Sequence, residues 1–290
     1  MKYQVFFLNI TTHCNQLCPF CFMGFAAAPA HKSLEQVARE LAKARELCDG
    51  RDIVMSGGEP TVHPQILDIL EAAGSFGFSR VTLFTNGQRL HNKELVAALV
   101  RGGLRAALIP LHGSSPEMHD SLVGRPHFRQ VLQGLEQSLA AGVDVIINTV
   151  ATTANLEDIP AINHLVQDRF AGASSYRLTY PAVMGEMRRR PDLLPTYDQV
   201  TSLISSLLDR TPRVPLSSDL VPLCLLGSNR QVAVEYHFSR DAELSFDDSQ
   251  GINRIGGKPC LKCPYRERCN GLQMDPVRLQ GVPESYGKIL

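Results

Sequence analysis

The sequence predicts an α/β fold, a partial (β/α)6 TIM-like barrel with a small C-terminal Cys-rich extension. Three observations carry that expectation: six apolar strand-like runs alternate with helical patterns, the unusual residues cluster just after those runs, and composition shifts near residue 210. Regular alternation of strand and helix implies a parallel sheet, and right-handed crossovers curl such a sheet toward a barrel. With 290 residues, 44% of them hydrophobic, the chain can bury one large core and carry an appendage.

The strands expected in order are 4–10 (QVFFLNI), 52–57 (DIVMSG), 80–86 (RVTLFTN), 105–113 (RAALIPLHG), 144–150 (DVIINTV) and 175–181 (SYRLTYP). Helices are expected to begin near Ser33, Pro64, Asn92, His127, Asp158 and Thr196, several at a capping residue or a first-turn proline. Ser33 with Gln36 forms a capping-box pattern, and Leu34, Val37, Leu41, Ala44 and Cys48 follow at helical spacing, which makes Cys48 a core residue rather than a ligand. Residues 1–210 are read as the barrel. Residues 211–290, rich in proline and glycine between 211 and 260, are read as a loop- and hairpin-rich appendage.

Lysines and arginines number 29 and acidic residues 29, so no overall field favours nucleic acid or an anionic membrane surface. No apolar run reaches the roughly 18 residues of a membrane span, and the N-terminus lacks a signal-peptide cleavage pattern. A cytoplasmic protein without nucleic-acid or membrane partners is expected. In that setting the eight cysteines, grouped as Cys14, Cys18, Cys21 and Cys260, Cys263, Cys269 with Cys48 and Cys224 alone, point to metal rather than disulfides.

Chemistry in such folds gathers at the C-terminal ends of the strands. The C-x3-C-x2-C loop follows strand 1, SGGEP (56–60) ends strand 2, TNG (85–87) ends strand 3 and HG (112–113) ends strand 4, so four motifs share one rim. Three thiolates leave one metal position open, which suits a cubane iron-sulfur cluster whose fourth iron takes an outside ligand. A structural zinc closes with four protein ligands. His13 as that fourth ligand is the bland alternative, but neighbours on an extended segment point apart.

The loop, with the aromatic Phe20 before its last cysteine, together with SGGEP one strand later, resembles the radical S-adenosylmethionine superfamily. The resemblance implies that Cys14, Cys18 and Cys21 hold a [4Fe-4S] cluster and that S-adenosylmethionine occupies the open iron. It further implies that Phe20 lies against the adenine, that Gly57 and Gly58 let carbonyls approach the methionyl ammonium, and that Glu59 accepts from it. Thr85 and Asn86 would contact polar groups of the cofactor, Asn148 the ribose and Arg177 the cofactor carboxylate. The chemistry implied is reductive cleavage to a 5'-deoxyadenosyl radical that abstracts hydrogen from a substrate, with the barrel positioning the partners and excluding water.

The stretch from Leu111 to Gln137 resembles radical enzymes of the molybdopterin and peptide-modifying branches, with His112 where many relatives carry aspartate. His112 is the candidate that faces substrate, against a structural hydrogen-bonded histidine; His119 and Asp120 are expected to fix the loop and cap the next helix. The MRRRPD run (187–192) is read as a solvated charge run, with phosphate or carboxylate binding as the sharper alternative.

In the appendage, Cys260, Cys263 and Cys269 with Cys224 upstream resemble SPASM and twitch extensions, which bind auxiliary iron-sulfur clusters. The pattern stops short of the full SPASM run, so four cysteines provide for one auxiliary [4Fe-4S] cluster; a zinc knuckle is the alternative. The implied substrate is a peptide or small metabolite undergoing oxidation, cross-linking or epimerisation, with a reductase or a flavodoxin- or ferredoxin-type electron donor as partner. Strand 1 begins at once, which is read as leaving no room for a leader-peptide domain and as assigning leader binding to a separate protein. Competing readings are an iron-sulfur electron carrier, which has no need of GGEP, and a zinc-stabilised binding module, which the neutral charge disfavours.

Overall fold

The computed structural model describes residues 3–208, 212–234, 243–245, 254–255, 258–266, 268–269 and 271–273, with 276, 280 and 283. Strands β1 (Tyr3–Thr11), β2 (Cys48–Gly57), β3 (Arg80–Phe84), β4 (Leu104–Pro110), β5 (Asp144–Val150), β6 (Ser175–Thr179), β7 (Leu216–Asp219) and β8 (Glu243–Ser245) form one sheet in the order β7-β6-β5-β4-β3-β2-β1-β8. Every neighbouring pair is parallel. The crossovers carry helices α1 (Leu34–Leu47), α2 (Ile66–Ser75), α3 (Lys93–Arg101), α4 (Pro116–Val123), α5 (Phe128–Ala140), α6 (Ile159–Arg169) and α7 (Tyr197–Leu208). This is the α/β, partial TIM-like architecture expected.

Side chains alternate across the strands, and the alternation separates an apolar core face from a polar one. Phe6, Leu8 and Ile10 of β1, Ile53 and Met55 of β2, Val145 and Ile147 of β5, and Tyr176 and Leu178 of β6 are fully buried in one hydrophobic cluster. Helical residues at three- and four-residue spacing complete it, such as Val37, Leu41 and Ala44 of α1 and Val131 and Leu135 of α5. The opposite face of the same strands and of β7 carries Asn9, Ser56, Asn148, Arg177, Thr179 and Ser217, a polar lining. Within it Ser56 Oγ donates to Asn9 Oδ1 at 2.5 Å and Thr179 Oγ1 to Asn148 Oδ1 at 2.7 Å.

Local chemistry sets the helix starts. Ser33 and Gln36 close the expected capping box. Asn92 Oδ1 accepts from Leu95 N at 2.9 Å. Asp120 Oδ1 accepts from both His127 N and Phe128 N, capping α5 as expected. Elsewhere the structure departs from the sequence expectation. α2 starts at Ile66, because Pro60–Val62 first form a 3-10 turn. Asp158 offers no cap to α6, since its carboxylate accepts from Ser114 N and Oγ. The helix α4 stands where a turn was expected, and Cys48 is buried as expected but opens β2.

Beyond residue 210 the prolines suggest loops, yet Leu216–Asp219 pairs in parallel with β6, and Glu243–Ser245 with β1. Ser218 of β7 is fully buried, so polar composition hides a strand that packs like a core element. Of the hairpins expected in 211–290, the described residues hold one antiparallel pair, β9 (Arg254–Ile255) with β10 (Leu272–Gln273); much of 235–257 lies outside the described residues. Among the described residues, no helix is long and apolar enough to cross a membrane.

Candidate active site

The loop after β1 closes on its own root. Lys32 N donates to Ile10 O and Thr12 N to Ala30 O, both at 2.9 Å, so residues 13–29 form a lasso at the barrel rim. Cys14, Cys18 and Cys21 all lie on it, half-buried. Cys21 N donates to Cys18 O at 3.1 Å, and Gln16 N points at Cys14 Sγ at 3.4 Å. Leu17 N donates to Val123 O at 2.9 Å, which pins the lasso to the end of α4. Burial raises the pKa of all three thiols, that of Cys14 to about 11, so the thiolate forms need a cation to stabilise them.

The glycine pair presses β2 against this loop. A Cβ on Gly57, whose φ is +127°, would stand 2.1 Å from Thr11 O, and one on Gly58 2.2 Å from His13 O. Both positions must be glycine for Gly58 N to reach Thr11 O and Glu59 N to reach His13 O, each at 2.7 Å. The demand for glycine thus comes first from chain against chain at the root of the cysteine loop.

Glu59 is fully buried. Its Oε1 accepts from Thr61 N, Thr61 Oγ1 and Thr85 Oγ1 at 2.9, 2.5 and 2.7 Å, and its Oε2 from Asn86 N at 2.6 Å. Burial pushes its pKa up, and these hydrogen bonds oppose the shift. Asn86 then passes the connection on: its Nδ2 donates to Asn15 Oδ1 at 2.6 Å, and Asn15 Nδ2 donates to Gln88 Oε1 at 3.0 Å. Glu59, Thr85 and Asn86 therefore form one buried network reaching the cysteine loop. Four donors thus meet the roughly four lone-pair sites of this carboxylate.

Phe20 is buried and packs edge-on against His112, ring centroids 4.9 Å apart. His112 is held on every side: Nδ1 accepts from Val150 N at 3.3 Å, its backbone N donates to His119 Nδ1 at 3.1 Å, and its carbonyl accepts from Asn155 Nδ2 at 3.0 Å. Desolvation lowers the pKa of His112 to about 3 and of His119 to about 4, so both rings are neutral. Since Nδ1 accepts, the neutral His112 carries its proton on Nε2. Asn148 and Arg177 are register neighbours on β5 and β6, and Arg177 Nε is buried with no hydrogen-bond partner among the described residues. A cradle closed to any Cβ, an orphaned guanidinium N–H on the polar face and three soft sulfur donors fit a cluster with an anionic, amine-bearing cofactor.

At the C-terminal end Cys260, Cys263 and Cys269 share one run of turns, with Cys263 N donating to Cys260 O and Cys269 N to Tyr265 O. Cys269 Sγ receives Leu223 N and Gly271 N, each at 3.4 Å, which ties it to the residue before Cys224. Arg230 lies over the Tyr265 ring, 5.3 Å from its centroid. Among the described residues, no three His, Cys, Asp or Glu side chains converge closely enough to hold one metal ion. In the MRRRPD run, Arg190 and Asp192 form an exposed pair, while Arg189 pairs with the buried Glu186.

Sequence reasoning missed Asn15, Gln16 and Gln88, whose amides tie the loop together, and Glu186 and Gln273. For the first two the signal was present, as polar residues inside the cysteine loop itself; for Glu186 and Gln273 no local pattern marks a partner. The family model of the Radical SAM superfamily matches residues 8–166. The chain belongs to the Radical SAM superfamily. Membership implies a [4Fe-4S] cluster and S-adenosylmethionine. Among curated relatives, a probable GTP 3',8-cyclase of Saccharolobus islandicus is 25% identical over 239 residues, covering 77% of either chain. An AdoMet-dependent heme synthase of Methanosarcina barkeri is 27% identical over 195 residues, 66% of this chain and 55% of that one. The crystal structure of Streptococcus suis SuiB bound to S-adenosylmethionine superposes with a TM-score of 0.68 at 17% identity, covering 93% of this chain and 73% of that one, which supports the radical SAM fold.

Proposed function

We propose that this radical SAM protein is an enzyme that cleaves S-adenosylmethionine reductively and abstracts hydrogen from a peptide or small-metabolite substrate, in an oxidation, cross-link or epimerisation. One observation carries the reading: the root of the cysteine loop is hydrogen-bonded to the GGE turn, Gly58 N to Thr11 O and Glu59 N to His13 O, and the loop is bonded to the β3 end through Asn15 and Asn86. Cys14, Cys18 and Cys21 would hold the cluster, and Gly57, Gly58, Glu59, Thr85 and Asn86 the cofactor, with Phe20, Asn148 and Arg177 completing its site. When bound, cluster and cofactor supply a 5'-deoxyadenosyl radical to the barrel interior.

The chain's own residues then have defined tasks. Arg177 offers an uncommitted N–H to a carboxylate, and a charge-assisted bond there is stronger than a neutral one. Glu59 holds the β2 and β3 ends in register from within. Neutral His112 backs Phe20 and keeps water from the cofactor side of the loop. Cys224, Cys260, Cys263 and Cys269 would bind an auxiliary [4Fe-4S] cluster in a region reaching from 211 to 290, of which β7 and β8 also extend the sheet of the barrel formed by 1–210.

Two comparisons support the substrate classes. The GTP 3',8-cyclase name describes chemistry on a nucleotide, and SuiB has also been solved bound to its precursor peptide SuiA, with a TM-score of 0.67 to this chain. An electron donor of the reductase, flavodoxin or ferredoxin type is the expected cytoplasmic partner, with a separate leader-binding protein where the substrate is a peptide. The test is anaerobic reconstitution with iron and zinc analysis, a strong reductant and S-adenosylmethionine. Formation of 5'-deoxyadenosine and methionine supports the enzyme. Iron without cleavage would leave an electron carrier, and zinc without iron a binding module.

A further inference from the structure

We propose that Gln273 is a positioning residue that ties the C-terminal cysteine turn to the loop of Cys14, Cys18 and Cys21, so that metal bound at the turn strengthens S-adenosylmethionine binding at the loop. The inference rests on the proposed reading of both cysteine sets as metal sites. It begins with one buried amide. Gln273 is 3% exposed, and both ends of its side chain are committed. Oε1 accepts from Val183 N at 3.0 Å, and Nε2 donates to Pro181 O at 3.0 Å. Its backbone N donates to Tyr197 OH at 3.2 Å.

β6 ends at Thr179, and Pro181 has no N–H to continue a ladder. The Gln273 amide takes the place of a strand partner for the segment that follows β6. Without it, a buried N–H and a buried carbonyl would be left unpaired.

The same segment grips the cysteine loop two residues further on. Gly185, at φ +51°, lies so close that a Cβ would stand 2.5 Å from both Cys21 O and Gly24 N, and 2.6 Å from Phe22 O. Glu186 N donates to Cys21 O at 2.9 Å, and Glu186 Oε1 accepts from Phe25 N at 3.2 Å. Arg189 holds that carboxylate in turn at 2.9 Å. The backbone from Cys21 to Phe25 is moulded on 185–186, as 181–183 is moulded on Gln273.

Gln273 lies four residues beyond Cys269, whose Sγ takes the Leu223 and Gly271 N–H groups. Metal at the turn would fix Cys269 and with it the position of Gln273, so that less ordering is left to the loop when cofactor binds. Coupling of this kind is reciprocal.

The experiment uses the anaerobically reconstituted full chain and reads iron content, S-adenosylmethionine affinity by equilibrium dialysis, and hydrogen exchange of a peptide covering residues 21–26. Gln273→Met should keep wild-type iron, bind S-adenosylmethionine about tenfold more weakly, and exchange faster in that peptide. Cys269→Ala should weaken cofactor binding to a similar degree, and the double variant should be no worse than Cys269→Ala alone. Gln280→Ala, which removes another C-terminal amide contact, to Leu194 O, should change nothing.

Wild-type exchange and affinity in Gln273→Met, or losses that multiply in the double variant, would overturn the tie. If Gln273→Met does not fold, unchanged exchange in Cys269→Ala overturns it equally. Wild-type protein with metal for one site only would instead sink the metal reading of the turn, while exchange in Gln273→Met still decides the tie.

Discussion

Asn86 donates its backbone N–H to Glu59 Oε2 at 2.6 Å, joining the ends of β3 and β2 inside the rim. Glu59→Gln must turn an NH2 group toward a site now filled by donors. Oε2 faces one donor and Oε1 three, so the NH2 settles against Asn86 N and displaces it, with Asn15 following. The expected loss is about 1–3 kcal/mol of stability, read as a lower thermal midpoint. Cofactor affinity should fall by about one to two powers of ten with iron content unchanged. Equal affinity in titrations of both proteins would reduce Glu59 to a turn residue.

Gly57→Ala tests the contact at the root of the loop. The new Cβ would meet Thr11 O, a backbone atom that cannot rotate away, at a φ that L-residues rarely adopt. A loss of at least about 2 kcal/mol is expected, together with loss of S-adenosylmethionine binding. A variant that melts with the wild type and binds normally would show that the contact is slack.

Acid stability should report the buried histidines. The folded pKa of His112, about 3, and of His119, about 4, lie below the ordinary histidine value. The unfolded chain therefore binds more protons as pH falls below about 6.5, and folding stability present above that pH is lost toward pH 4. Each ring contributes up to about 1.4 kcal/mol per pH unit. His112→Asn, whose amide oxygen can accept from Val150 N, should be less stable near neutrality but show about half this slope. Denaturation curves with the wild-type slope in that variant would mean that His112 is protonated in the folded state.

Much of this site can be read from the chain. The cysteine spacing and the SGGEP turn sit directly after apolar runs, so the β/α rhythm alone puts them on one rim. What holds them together cannot be read so easily. Asn15 and Gln88 look like ordinary loop polarity until the fold brings the ends of β1 and β3 together and joins them to Asn86. α4 is short, and its Ser115 cap and Pro116 read equally well as a turn. β7 has a single large apolar residue, Leu216, because Ser218 occupies the buried position. Glu186 hides in a basic run and is buried only because Gly24 and Gly185 let two backbones meet.

The auxiliary cysteines are tested separately. Cys269→Ala should lower iron by about one cluster, retain 5'-deoxyadenosine formation uncoupled from substrate, and lose turnover. Normal turnover of the true substrate would deny the second cluster an obligatory redox role, and one zinc in place of the missing iron would make the turn a zinc knuckle.

The most direct measurement of the central claim compares S-adenosylmethionine cleavage by the anaerobically reconstituted, reduced protein with that by the Cys14→Ala, Cys18→Ala, Cys21→Ala triple variant. The wild type should yield 5'-deoxyadenosine and methionine in equal amounts, and the triple variant neither. Undiminished cleavage in the triple variant would contradict the assignment of the cluster to this loop.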